Sequence, residues 1–513
     1  MGIGKVYLVG AGPGNPKLIT VQGKEAIERA DVIVYDRLAS PRLLSWAKPE
    51  AEMIYVGKLP DRHTLKQQEI NQLLVDLALQ GKRVTRLKGG DPSIFGRVGE
   101  EAETLARAGV PFDIVPGVSS AIAVPMYAGI PVTHREFASS VTIITGHECP
   151  NKSDTSLDWA RIAAETGTLV FLMGVKNLPA MIEQLGKHGR DLDTPIAVIQ
   201  WGTSANQRTV VSTLSQIVTD VHAAGLGSPA VIVIGEVVSL RNVLNWYEQK
   251  PLFGRRIVVT RARAQASELL DLIDELGGEV WEMPVLEIAS TAESSNVPDP
   301  AKWDWIIFTS VNAVKAFFEQ LRSSRNDVRK WANAKIAVIG QSTAQAVINN
   351  GWHVDICPIK QDREGLFDDL KQVIQTGQSV LFPRGQLAHS WLPDHVRALG
   401  ADVQEWVIYE TRPTMDPHAV QAVADAIHAG LIDAVTFTSS STVKLFVEQI
   451  RTVEENFDFN REGAPDYICI GPQTEQTAKS YGIQSITLAA HASVQGIVDQ
   501  LMLNFTSKMG EKE

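Results

Sequence analysis

The run VGAGPGNP at residues 9–16 follows a strand-like stretch, KVYLVG, and Asp36 closes the next apolar run about 20 residues on. A glycine-rich loop with such an acid is the pattern of a dinucleotide site, where backbone amides approach a pyrophosphate and the acid holds a ribose hydroxyl. The full fingerprint needs glycine where Asn15 stands, and Pro13 and Pro16 lack the amide hydrogens that a phosphate cradle uses. The loop therefore disfavours phosphate. It suits close backbone approach to an uncharged or cationic ligand portion, such as the sulfonium of adenosylmethionine. A purely structural glycine turn is the alternative.

In the second half, reactive groups recur in pairs. Strands ending in Phe-Thr-Ser run into helical periodicity at 308–310 and again at 437–439, so Thr309, Ser310, Thr438, Ser439 and Ser440 fall at strand carboxyl ends, where ligands of open α/β sheets sit. The bland reading is that these hydroxyls only cap helices. Thr474 follows IGP at another helix start, and Arg255, Arg256, Arg261, Arg263 and Arg384 make local cationic clusters. Such clusters can meet an anionic small substrate even on a chain of net charge −11. The same net charge, without a polybasic tract, argues against a nucleic-acid partner.

The elements that must position these groups are α/β. Short apolar runs (KVYLVG, DVIVYD, VTIITG, TLVFLMG, AVIVIGEVV) alternate with helical periodicity, the rhythm of strands buried on both faces. At roughly 150 residues per unit, 513 residues allow about three compact bodies. Apolar residues make up 44% and charged residues 21%, and no apolar run approaches the roughly 20 residues of a membrane span. The start of the chain has no secretory pattern, so a cytoplasmic location is expected. Cys149, Cys357 and Cys469 are too far apart for a zinc or disulfide framework, so no metal is expected. The helix-breaking passage NWYEQKPLFGRR predicts a boundary, with a domain over 1–245, a linker over 246–254 and a further domain over 255–505. That further domain is internally duplicated. WDWIIFTSVNAVKAFFEQL (303–321) aligns with IDAVTFTSSSTVKLFVEQI (432–450), and AVIGQSTAQAV with ICIGPQTEQTA, at an offset of roughly 125 residues that suits a repeated α/β lobe.

VGAGPGNP, VYDRL, VGK, GGDPSIFGRVGEE, VPGVSSA, GIPVTHR, TGH and QWGT, in this order over nearly all of residues 1–245, resemble the uroporphyrinogen-III C-methyltransferases among the tetrapyrrole methylases. Ser93 and Val98 depart from the usual pattern, which puts the local loop shape in question. The resemblance implies a two-subdomain methylase fold and a cradle for S-adenosyl-L-methionine formed by Pro13, Gly89, Gly90, Asp91, Ile94, Ser119, Ser120, Met173, Gly202 and Ala230. It further implies Asp36 as proton acceptor, Lys58 as proton donor, and a homodimer formed through this half. Without the resemblance, Met173 reads as core and Asp36 as a surface acid. Lys58, Arg62, Arg97, His134 and Arg135 could pair with the carboxylates of the substrate.

VVTRA, IIFTSVNAV, LFPRG, VIYET, FTSSSTV and IGPQT resemble, less specifically, uroporphyrinogen-III synthase over 255–505. The resemblance implies two α/β lobes, one of about 255–285 plus 412–505 and one of about 289–407, joined by extended hinges near 284–288 and 407–412. Tyr409 is then the candidate weak acid for ring closure, or else a tethered hinge aromatic. Arg261, Thr309, Ser310, Arg384, Ser439, Ser440 and Thr474 are candidate substrate contacts. Together the halves imply cyclisation of hydroxymethylbilane to uroporphyrinogen III and its methylation at C2 and C7 to precorrin-2, on the sirohaem and cobalamin branch. The rivals are a methyltransferase carrying a non-catalytic two-lobed binding module, and a pyridine-nucleotide oxidoreductase.

Overall fold

A strand with no polar face has to be covered on both sides, and the apolar runs of this chain meet that need in four five-stranded sheets. The computed structural model describes residues 2–57, 66–147, 157–260, 263–291, 297–324, 327–386, 388–414 and 416–507. The chain divides into two compact units, one of Met1–Arg256 with Ile273–Glu279 and Asn504–Glu513, the other of Ile257–Leu272 with Val280–Leu503.

In the first unit, β1 (Lys5–Gly10), β2 (Val32–Tyr35), β3 (Glu52–Tyr55), β4 (Arg83–Lys88) and β5 (Phe112–Val115) form a sheet ordered β3-β2-β4-β1-β5. Every pairing in it is parallel, so all five strands end on one edge. The second sheet of the unit is mixed: β6 (Val141–Thr145), β7 (Thr168–Leu172), β8 (Pro195–Gln200), β9 (Arg208–Thr213) and β10 (Ala230–Ile234) lie in the order β6-β7-β10-β8-β9. Its middle strands are apolar and buried, Leu169 to Phe171 and Ile232 to Ile234 having no exposed surface.

The passage 246–254, which reads as a linker in sequence, is instead packed into the first unit. Tyr247 is 6% exposed and Leu252 fully buried. The Tyr247 ring meets Tyr127, Trp246 and Phe253, and the neighbouring Glu248 accepts hydrogen bonds from Gln207 and Thr209. Its helix-breaking residues disguise an aromatic anchor, which stabilises through buried area whatever the backbone conformation.

The duplicated half builds two sheets. One has the order β12-β11-β18-β19-β20, from β11 (Arg256–Val259), β12 (Glu279–Glu282), β18 (Ala434–Phe437), β19 (Asp466–Cys469) and β20 (Ile486–Leu488). The other has the order β13-β17-β16-β14-β15, from β13 (Leu286–Ser290), β14 (Trp305–Phe308), β15 (Lys335–Val338), β16 (Ser379–Gly385) and β17 (Asp402–Pro413). The segments read as hinges are β13 and the end of β17, paired antiparallel from Leu286↔Pro413 to Ser290↔Tyr409. Each sheet has an aromatic core of its own. Phe317 lies edge-on to Phe308, Trp331 and Trp406 in one, and Phe437 meets Phe446 and Tyr467 in the other.

Candidate functional site

Because β1 and β4 are neighbours at the centre of a parallel sheet, the loops that follow them leave the same edge. Gly12 and Gly90 pair across it, the Gly90 amide donating to the Gly12 carbonyl at 2.7 Å and the Gly12 amide to the Gly90 carbonyl at 3.2 Å. The loop after β5 joins them. A Cβ on Gly10 would lie 2.6 Å from Gly117 Cα, so the junction closes only where both residues lack side chains. Gly90 has a φ of +70°, a second requirement for glycine.

Asp91 locks the junction. Its carboxylate accepts the Gly117 amide at 2.9 Å and the Ser93 amide at 2.8 Å, together with the Ser93 hydroxyl. Burial works to raise its pKa, yet the hydrogen bonds from Ser93, Gly117 and Ile94 outweigh it and hold the group below the ordinary carboxylate range. Ser93, a departure from the expected motif, thus has a partner that an aromatic residue could not supply. Asn15 also has a task of its own: its side chain accepts the Lys17 amide at 2.9 Å and its backbone amide donates to Thr203 Oγ1 at 3.1 Å.

Backbone strain concentrates here. Among the described residues the non-glycine positions with positive φ are Phe95, Arg97, Met173, Trp201 and Thr203, all in the first unit and all at the ends of β7 and β8 or in the loop after β4. Such conformations cost about 1–3 kcal/mol each and cluster at binding sites. Met173, at φ +60°, is 50% exposed and so stands outside the core. Gly202 is buried against Val124, Ser119 caps the helix Ser120–Tyr127, and Ala230 opens β10 opposite Gln200. Ile94 and Pro13 are half-buried.

Asp36 follows β2 and lies 3.3 Å from Arg86 on β4, whose side chain is only 5% exposed. Behind it, the fully buried Glu101 takes Arg86 at 3.4 Å and Lys88 at 2.7 Å, while one of its oxygens, Oε2, has no partner. Burial holds the Lys88 pKa below its ordinary value. Lys58 and Arg62 lie outside the described residues. Arg97 pairs with Glu100 at 2.7 Å on the surface.

In the second unit, Ser310 and Tyr409 meet, their hydroxyl oxygens 3.2 Å apart. Ser310 also accepts the Ala313 amide at 3.1 Å, so the capping reading and the site reading fall on one residue. Arg384 is paired with Glu405 and donates to the Ala388 carbonyl. Ser439 caps the helix Ser440–Val453, Ser440 donates to the Gln473 carbonyl at 3.3 Å, and Thr474 is 4% exposed. Arg261 lies outside the described residues. No cluster of three metal-ligating side chains, and no helix long and apolar enough to cross a membrane, occurs among the described residues.

Comparison with known proteins assigns both halves. Residues 5–218 match the tetrapyrrole (corrin/porphyrin) methylases, and residues 267–499 match uroporphyrinogen-III synthase HemD. Over 503 residues the chain is 35% identical to a porphyrin biosynthesis protein HemD of Ruminiclostridium josui, spanning 97% of this chain and 98% of that one. The chain belongs to both families. Its first half is 55% identical over 237 residues to a uroporphyrinogen-III C-methyltransferase of Priestia megaterium, covering 46% of this chain and 99% of the relative. A Bacillus subtilis (strain 168) uroporphyrinogen-III C-methyltransferase is 45% identical over 352 residues, 68% of this chain and 72% of the relative.

The fused methylase and synthase domains make this a protein of tetrapyrrole biosynthesis. In the methylase half, Gly89, Gly90, Asp91, Ser119 and Pro13 gather on one sheet edge, with Asp36 one strand away beside Arg86. In the synthase half, Arg384 and Tyr409 lie on strands of one sheet and Thr309 and Ser310 directly after a third, whereas Ser439, Ser440 and Thr474 follow strands of the other. Sequence reading missed Arg86, Lys88 and Glu101. The available signal was RVTRLK, a central strand carrying cations two residues apart, which places both on one covered face.

Proposed function

We propose that this chain cyclises hydroxymethylbilane to uroporphyrinogen III and then methylates that product at C2 and C7, with S-adenosyl-L-methionine as donor, to precorrin-2. The observation that carries the methylase reading is the glycine junction of the β1, β4 and β5 loops, set beside Asp36, with strained residues in the loop after β4 and at the ends of β7 and β8. Such a junction suits this donor. It offers close backbone approach without a phosphate cradle, since Pro13 has no amide hydrogen and the Asn15 amide is committed to Thr203. The same commitment counts against a pyridine-nucleotide oxidoreductase.

On this reading, Gly89 to Asp91, Ile94, Ser119, Ser120, Met173, Gly202 and Ala230 hold the donor, which when bound supplies an electrophilic methyl on sulfonium. The residues align the pyrrole carbon with that methyl, and alignment is the main catalytic contribution in a displacement of this kind. Asp36 takes the proton that the methylated pyrrole must lose, oriented by Arg86. Lys58 is the proposed donor. In the synthase half, closure with inversion of the last ring requires one held conformation and a weak acid near the departing hydroxyl. Tyr409, tethered by Ser310, is that acid. A methylase-half homodimer and a cytoplasmic location complete the proposal.

The test is incubation of the full chain with fresh hydroxymethylbilane, with and without adenosylmethionine, followed by isomer separation with mass detection. Isomer III without donor and a dimethylated product with it are expected. Isomer I alone would leave the second half as a non-catalytic binding module.

A further inference from the structure

The sheet β13-β17-β16-β14-β15 has a topological switch between β14 and β16, because the chain leaves β14 toward β15 on one side and returns as β16 on the other. Ligands of open α/β sheets bind outside the strand carboxyl ends at such a point. A cavity of about 150 Å³ opens there, lined in part by Thr309, Arg363, Phe382, Arg384, His389 and Trp391. None of its lining residues is acidic, and three carry basic side chains.

The cations differ in availability. Arg384 is committed to Glu405 and to the Ala388 carbonyl. Arg363 is exposed, touches Glu364 only through Nε at 3.3 Å, and stacks over the Trp391 ring at 5.1 Å from its centroid. An exposed pair of neighbours on one helix is worth little in water and yields readily to a ligand carboxylate. The first residues of two helices, Arg363–Leu370 and Trp391–Ala398, also line this cavity. The volume is below the roughly 300–1,000 Å³ that encloses a whole drug-sized ligand, a size that suits one substituted ring.

We propose that this cavity is the subsite for a single carboxylate-bearing pyrrole of the synthase substrate, with Arg363 and His389 on the carboxylate. The proposal rests on the synthase reading of this half and refines it. Its mechanistic sense lies in one peptide link. Thr309 lines the cavity while the next residue, Ser310, meets the Tyr409 hydroxyl from the other face of the sheet, so the two places are joined through the end of one strand.

The probe is a monopyrrole carrying one acetate and one propionate chain, with its dimethyl ester as the neutral control, titrated calorimetrically into the full chain. The diacid is expected to bind and the ester not. Arg363→Gln and His389→Gln should each weaken the diacid by about tenfold, the scale of one charge-assisted hydrogen bond. Arg363→Gln should also raise KM for hydroxymethylbilane with kcat held within roughly twofold, and Arg363→Lys should recover part of the loss. Failure of the diacid to bind, or binding and KM unmoved by both substitutions, overturns the subsite. Formation of isomer III by the unmodified chain is scored in parallel: its absence removes the synthase reading, while its presence with variant-insensitive KM removes the subsite alone.

Discussion

The Asp91 carboxylate accepts the Gly117 amide at 2.9 Å, and so ties the loop after β4 to the loop after β5 across the mouth of the methylase sheet. Asp91→Asn keeps the size of the side chain but replaces one acceptor oxygen with a donor. It should weaken adenosylmethionine binding at least tenfold, about the worth of one hydrogen bond to a charged group, as read by calorimetry. The pH dependence has a defined sign. The folded pKa of Asp91 is lowered, so its stabilisation is present above the ordinary carboxylate range and is lost as pH falls through the depressed folded value. The stability gap between the parent chain and Asp91→Asn, followed by denaturant titration, should therefore close below about pH 4.

Asp36→Asn should leave adenosylmethionine binding intact while slowing methylation about 10²-fold or more, the scale of a lost general base. The discriminating measurement is donor affinity set against single-turnover methylation rate. Unchanged turnover would remove the assigned role.

Gly385 is the seat of the Tyr409 ring. A Cβ there would lie 2.6 Å from Tyr409 Cζ, so Gly385→Ala must shift the tyrosine and disturb its contact with Ser310. Cyclisation should fall toward the level of Tyr409→Phe, with methylation of supplied uroporphyrinogen III retained. Equal loss of both activities would point to misfolding instead.

Glu101 holds two buried cations, Arg86 and Lys88, behind Asp36. Glu101→Ala leaves Lys88 without its carboxylate partner and Arg86 with Asp36 alone, and should destabilise the methylase half by about 3–5 kcal/mol, measured by equilibrium unfolding. A loss under about 1 kcal/mol, the worth of a surface pair, would show that water reaches the cluster.

Sequence alone determined the α/β class, the duplication and the two families. Buried strands must be apolar throughout, a repeated lobe repeats its pattern, and VGAGPGNP and GGD supply the glycines that permit backbone contact. Local patterns could not show what topology brings together. The strand order β3-β2-β4-β1-β5 makes Gly10, Gly90 and Gly117 neighbours, and the parallel pairing of β16 with β17 puts Gly385 under Tyr409. Arg86 and Lys88 inside RVTRLK gain a role only once Glu101 is seen to pair with them, and 246–254 reads as a linker until Tyr247 is found buried. Met173 reads as core until its positive φ turns it outward. Residue type and spacing carry preferences that act over a few residues, whereas partners far apart in the chain, such as Ser310 and Tyr409, are chosen only when whole sheets pack and bury their faces.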